Sequence, residues 1–444
     1  MLVGAAEDSG ESSSYETSKL QMDLLKLAGL DTVRLTATWS TGETAPPAGQ
    51  ALALTNAIDA AQFTGVRVIL SIYPHGSSVT PLTDQARSDF AAFAAGIAKK
   101  FPLVHDFIIG NEPNLNRFWL PQFNADGSDA AAQGYEQLLA TTYDALKVVR
   151  PHSTIYGGAL APHGVDKPNT GRDTHSPTAF INDLGAVYRA SGRALPIMDA
   201  FAFHPYPENS TIGPNFPHPN STAIGLADYD KLVGLLGAAF DGTAQRGSKL
   251  PILYDEFGIE SQIPAAKASL YTGTEPSTTK PVDEATQAAY YREGLQMAFC
   301  QKTVLGVLLF HVVDEKALSA WQSGLYYADG TPKSSLGPTR DAAGEVHRGV
   351  AATCPGMALT PQVTLSLGAV TPKGLPVTLT CTLDCSYTLE LDGKATLRGT
   401  VSGGVAKKLL FRGRIAAGTH HLTATATALA NTGPPGSKTV TFRS

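Results

Sequence analysis

Two glutamates stand where they could work together. Glu112 lies in Asn111-Glu112-Pro113, just past the apolar run Phe107-Ile108-Ile109, and Glu256 closes Leu253-Tyr254-Asp255-Glu256 ahead of Phe257-Gly258. A carboxylate placed immediately after a buried strand is held rigidly at the lip of a core. Two such carboxylates facing each other, with aromatic side chains nearby, are the apparatus for cleaving a glycosidic bond. One, protonated, donates to the leaving oxygen, and the other attacks the anomeric carbon. Side chains of the polar and aromatic kind that hold a sugar also recur at strand ends: Arg34 and Trp39, Tyr73 and His75, His163, His204 and Tyr206, and His311. Alternation along the strand predicts that Asp255 points away from its neighbour Glu256 and is structural.

Something must carry these residues to one place, and the chain supplies eight strand–helix pairs. The strands are read at Leu2 to Ala6, Thr32 to Trp39, Val66 to Ile72, Phe107 to Ile109, Ser153 to Ala159, Met198 to Phe203, Leu250 to Tyr254 and Val304 to Phe310. Most are continuous apolar runs, as in parallel strands buried on both faces. Amphipathic segments alternate with them; Phe90, Phe93, Ala94 and Ile97 follow the helical period. Eight such units point to a (β/α)₈ TIM barrel, which gathers its strand ends on one face. No Gly-x-Gly-x-x-Gly follows the first strand, which counts against an open dinucleotide-binding sheet.

Beyond the barrel the texture changes to short alternating strands with turns such as Leu391-Asp392-Gly393. We therefore expect a catalytic barrel over 1–353 and a small immunoglobulin-like β-sandwich over 354–444. Cys381, Cys385, Cys300 and Cys354 are disulfide candidates in an oxidising compartment. No histidine lies at zinc-ligand spacing from the Cys381/Cys385 pair, and His75, His204 and His311 are spread over three strands. No metal and no cofactor are expected.

The residues also carry a resemblance. Asn111-Glu112-Pro113, Glu256-Phe257-Gly258, Val33-Arg34-Leu35 with Trp39, and His204-Pro205-Tyr206 resemble the strand-four, strand-seven, strand-two and strand-six motifs of glycoside hydrolase clan A, including its cellulase-like family 5 and family 39-like branches. The resemblance covers roughly residues 1 to 350 and implies a retaining (β/α)₈ glycosidase. Glu112 would be the acid/base and Glu256 the nucleophile. Asn111 would bind the sugar 2-hydroxyl, and Tyr206 and Arg34 would hold Glu256 ionised. Clan members usually end strand eight with a tryptophan. Here Phe310-His311 stands there, and Trp321 in the following loop is the candidate replacement.

Composition narrows the partners. The 444 residues are 43% hydrophobic and 16% charged with a formal net charge of -5, which gives no reason to expect nucleic acid. No apolar run is long enough for a membrane span. The start at Met1 has no signal-peptide pattern. A removed leader and a secreted or cell-surface protein are expected from the cysteines and the chemistry. The loops at 162–176, 205–226 and 258–283 are long, which favours a walled pocket and exo action or short oligosaccharide and glycoside substrates. An endo-acting β-glycanase, a carbohydrate-binding barrel without turnover and a metal-dependent hydrolase stay open as alternatives. The sequence leaves the oligomeric state open.

Overall fold

The computed structural model describes residues 1–349, 361–381, 385–402, 405–428 and 435–444. Eight parallel strands close into a barrel: β1 (Leu2–Ala6), β2 (Thr32–Trp39), β3 (Arg67–Pro74), β4 (Asp106–Ile109), β5 (Thr154–Leu160), β6 (Ala200–Phe203), β7 (Ile252–Phe257) and β8 (Val304–Phe310). The helices are α1 (Tyr15–Leu27), α2 (Ala48–Thr64), α3 (Asp84–Lys100), α4 (Ala130–Val149), α5 (Pro177–Ser191), α6 (Tyr229–Phe240), α7 (Glu284–Cys300) and α8 (Leu336–His347). Several start on residues suited to capping. Ser14, Thr83, Asp129, Ser176 and Asp283 each accept a hydrogen bond from a backbone N–H of the first turn.

Strand alternation divides the core in two. Ile69, Ile108, Tyr156, Ala159, Ala200, Ala202, Leu253 and Leu308 fill the barrel interior. Val33, Leu35, Phe107, Phe201, Phe203, Ile252 and Tyr254 face outward and pack with the helix residues. The inward set sets the phase of each strand: Arg34 on β2, Tyr73 on β3 and His204 just past β6 share their strands' inward register.

Two irregularities bend this pattern at the mouth. In β5, Ala159 is an extra residue opposite β6, at φ +48°, and its turned carbonyl accepts the Glu112 N–H at 2.8 Å. In β7, one residue is added between Tyr254 and Phe257 relative to β8. Such bulges re-aim side chains. Leu253 points inward, so Asp255 does too, and the added residue lets Glu256 reach the same cavity. The expectation that Asp255 points away from the site fails for this reason.

The C-terminal strands are β9 (Val363–Leu367), β10 (Gly374–Cys381), β11 (Cys385–Leu391), β12 (Lys394–Val401), β13 (Lys407–Arg412), β14 (Thr419–Ala428) and β15 (Gly436–Arg443). They form two antiparallel sheets, ordered β13-β10-β9 and β12-β11-β14-β15, which make a β-sandwich. Leu375, Val377 and Leu379, Tyr387 and Leu389, and Leu422, Ala424 and Ala426 alternate into its core. Asp392 and Gly393, both at positive φ, make the tight turn into β12, a strand absent from the sequence reading. Cys381 and Cys385 form a disulfide, and no described cysteine is free. Cys354 and the expected boundary at 353/354 lie outside the described residues. Among these residues no helix is long and apolar enough to cross a membrane.

Candidate active site

The strand ends bring together Arg34, Glu112, His204, Tyr206, Asp255 and Glu256. His204 is fully buried and sits between the acids. Its Nδ1 lies 3.0 Å from Glu112 and 3.5 Å from Glu256, and its Nε2 lies 3.3 Å from Asp255. Arg34 forks across the bulge, one arm donating to Asp255 at 2.9 Å and the other to Glu256. The Tyr206 hydroxyl donates to the second oxygen of Glu256 at 2.9 Å. Glu112 has φ +41°, an unusual conformation for a glutamate, supported by its backbone bond to Ala159.

Burial opposes charge on His204, but Glu256, Asp255 and Glu112 outweigh it and raise the imidazole pKa to about 10. Arg34 is likewise raised by Glu256 and Asp255 against its burial. Asp255 is pushed up by burial, yet His204 and Arg34 bring it below the ordinary carboxylate value. Burial and Glu256 raise the Tyr206 phenol well above its usual value, so it acts as a donor. Access separates the acids: the Glu112 and Glu256 side chains are 15% and 9% exposed, whereas Asp255 is 0% exposed.

Nearest atoms of Glu112, His204 and Glu256 lie within 4.8 Å of one another, a spacing that could suit a metal. The donor chemistry does not fit. A charged imidazolium has no lone pair to give, and the Arg34 guanidinium already occupies Glu256.

The other sequence candidates divide. Asn111 is buried beside Glu112, with its Oδ1 free of any hydrogen-bond partner. The Trp321 ring lies 4.9 Å from that of Tyr206 and 5.2 Å from that of Phe310, lining a cleft of about 270 Å³ with Tyr206, Glu208, Gly258 and Glu260. Trp39 does not join them. It points outward, 0% exposed, packs edge-on to Phe90 and donates to the Glu43 carbonyl. Its place in the outward phase of β2 removes it from any substrate. His75 is exposed at the end of β3. His163 lies beside His218, ring to ring at 6.3 Å, and near Glu208.

His311, at φ +70°, lies between Glu7 and Glu315. Burial lowers its pKa, but the neighbouring Glu315 and Glu7 carboxylates prevail and raise it to about 10. Asp314 is not a solvated surface acid; it forms a buried ion pair with Lys333 at 2.8 Å.

Sequence reading overlooked the end of β1. Asp8 is accessible to water although ringed by protein, beside Glu11, Thr36, Arg34 and Tyr73. Burial and the Asp8 charge raise the Glu11 pKa well above its usual value, and burial raises that of Asp8. The signal was present: Leu2, Gly4 and Ala6 set an inward phase that reaches Asp8 next.

No family model matches the chain, and no curated protein matches it. Solved structures do. A family 39 glycoside hydrolase from the gut symbiont Bacteroides cellulosilyticus is similar over 92% of this chain and 80% of its own, at 16% identity and TM-score 0.53. The chain shares the fold of that structure, an eight-stranded (β/α) barrel. A family 5 glycoside hydrolase from Streptomyces cattleya, in complex with Manb1-4GlcNAc, is similar over 80% of this chain and 83% of its own, at 15% identity and TM-score 0.51.

Proposed function

We propose that this protein is a retaining β-glycoside hydrolase acting by double displacement. One observation carries the reading: Glu112 and Glu256 open onto the same cavity, with carboxylate oxygens within 4.8 Å of each other across His204. Retaining enzymes hold their two carboxyl groups about 5–5.5 Å apart, and inverting ones about 6.5–9.5 Å, to admit water. In the first step a Glu256 oxygen bonds to the anomeric carbon, the glycosidic C–O bond breaks, and Glu112 gives its proton to the leaving oxygen. Glu112 then takes a proton from water as that water attacks the same carbon and releases Glu256. Arg34 and Tyr206 disperse the charge on Glu256 before it attacks and again as it departs, and His204 does so for both acids.

The finer assignments rest on placement. The free Oδ1 of Asn111 can accept from a sugar hydroxyl beside the nucleophile. Trp321 offers a stacking face where strand eight lacks one, and Asp8 and Glu11 offer acceptors to glycone hydroxyls on the opposite wall. The cleft walled by the loops after β6, β7 and β8 supports exo action or short glycosides. The Cys381–Cys385 disulfide supports a secreted protein. The partner is then a carbohydrate or glycoside.

The test is hydrolysis of a panel of aryl β-mono- and diglycosides, with the first-formed anomer read by NMR. Retention is expected, and Glu256→Ala should abolish turnover. Full turnover in that variant, or an inverted product, would overturn the reading. Calorimetric binding of sugars without turnover on any substrate would make the chain a carbohydrate-binding barrel instead.

A further inference from the structure

A second cluster of ionisable side chains lies apart from the catalytic carboxylates, where the loop after β4 meets the start of α5. Asp129 caps α4, His175 precedes α5, and Asp183 sits in the second turn of α5. Their donor atoms lie within 4.8 Å of one another. His175 and Asp129 are each 3% exposed at the side chain. The Phe123 ring covers the imidazole at 4.2 Å.

Ordinary capping does not account for all of this. Asp129 Oδ1 accepts the Ala132 N–H at 2.7 Å, which satisfies the cap. Its other oxygen, Oδ2, is buried with no partner. Burial above all, with Asp183 and Asp166 adding as like charges, raises the Asp129 pKa to about 7. Among the described residues no lysine or arginine forms an ion pair with Asp129, Asp166 or Asp183. The N-terminal dipoles of α4 and α5 favour negative charge here, but three converging carboxylates exceed what two half-charges offset. Histidine Nε2 lies 3.3 Å from Asp129 Oδ1 and 2.9 Å from the Gln122 carbonyl. Ligands on a tetrahedral ion with bonds of about 2.0–2.1 Å stand roughly 3.3 Å apart.

We propose that Asp129, His175 and Asp183 bind a divalent transition-metal ion, of the Zn²⁺ or Mn²⁺ class, that ties the loop after β4 to α5. An imidazole nitrogen with carboxylate oxygens selects this class over Ca²⁺ or Mg²⁺, which take oxygen alone. The Gln122 carbonyl, 2.9 Å from Nε2, is placed to become a fourth ligand. The site is structural: it clamps the segment running from Glu112 through Trp119 and Gln122 and takes no part in the glycosidic step. The sequence hides it, because positions 129, 175 and 183 form no ligand motif.

The experiment uses the full chain, stripped with chelator and dialysed. Zn²⁺ and Mn²⁺ are added singly, with Ca²⁺ and Mg²⁺ as controls, and metal content and melting temperature are read. One equivalent of Zn²⁺ or Mn²⁺ per chain, a melting temperature several degrees higher, and loss of both effects in Asp183→Asn are expected. That residue is only half-buried, so the variant should fold, and the titration of the unaltered chain stands without it. Absence of binding, an equal response to Ca²⁺ or Mg²⁺, or an unchanged response in Asp183→Asn would overturn the proposal. So would a melting temperature indifferent to metal that rises as pH falls below about 7, since a shared proton would then fill the place of the cation.

Discussion

Burying His204 against Glu112, Asp255 and Glu256 keeps its ring protonated to about pH 10, whereas an unfolded histidine loses its proton near 6.5. His311, between Glu7 and Glu315, behaves the same way. In the window between those values the folded chain binds more protons than the unfolded one. The stabilisation is therefore complete below about pH 6.5 and is lost as pH rises through about 10. Melting temperature should fall steadily from pH 7 to 10. His311→Gln, which touches neither Glu112 nor Glu256, should make that slope shallower; an unchanged slope would show that His311 is not charged. Arg34, Glu112, His204 and Glu256 were legible at this scale, because chemistry-bearing residue types stood at strand ends. Trp39 was misplaced because residue type alone does not say which side of a strand faces the cavity.

Among the elements, Tyr135 on α4 shows how a helix holds the strand end that carries Glu112 in place. Its hydroxyl donates to the Ile109 carbonyl at 2.6 Å and accepts from Gly158 N–H at 2.8 Å, bridging the ends of β4 and β5. Tyr135→Phe leaves a buried carbonyl and a buried N–H unmatched, a loss of about 1–3 kcal/mol. Chemical denaturation should show it, with a fall in kcat as Glu112 loosens and little change in KM.

The loops after β7 and β8 have a comparable anchor. Lys333 donates to Asp314 at 2.8 Å, to Ser261 at 2.8 Å and to the Gln322 carbonyl at 3.0 Å, next to Trp321. Removing one partner of a buried pair costs about 3–5 kcal/mol. Lys333→Ala should therefore lower the melting temperature sharply and raise KM as the Trp321 loop loses its support. An unaltered KM would mean that Trp321 holds no substrate. Neither anchor could be found from sequence, since each joins residues far apart along the chain.

The whole molecule joins a barrel to a sandwich, and their stabilities can be probed separately. The Cys381–Cys385 bridge closes a loop of sequence separation 4, so on the chain-entropy account it contributes roughly 2 kcal/mol. Replacing both by serine should lower the unfolding transition of the sandwich and leave hydrolysis at the barrel unchanged. A loss of turnover would show that the sandwich supports the site. Periodicity by itself determined the eight-stranded parallel barrel, the strand-rich tail, and the placing of Glu112 and Glu256 at the ends of the fourth and seventh strands. Those are consequences of local pattern: apolar runs, helical spacing and capping residues. Tertiary structure alone decided that Asp255 shares the cavity with Glu256, that Trp39 faces α3, and that His175 meets Asp129. A bulge exists only relative to the register of a neighbouring strand, here one residue of β7 without a counterpart in β8. No pattern within β7 could announce it.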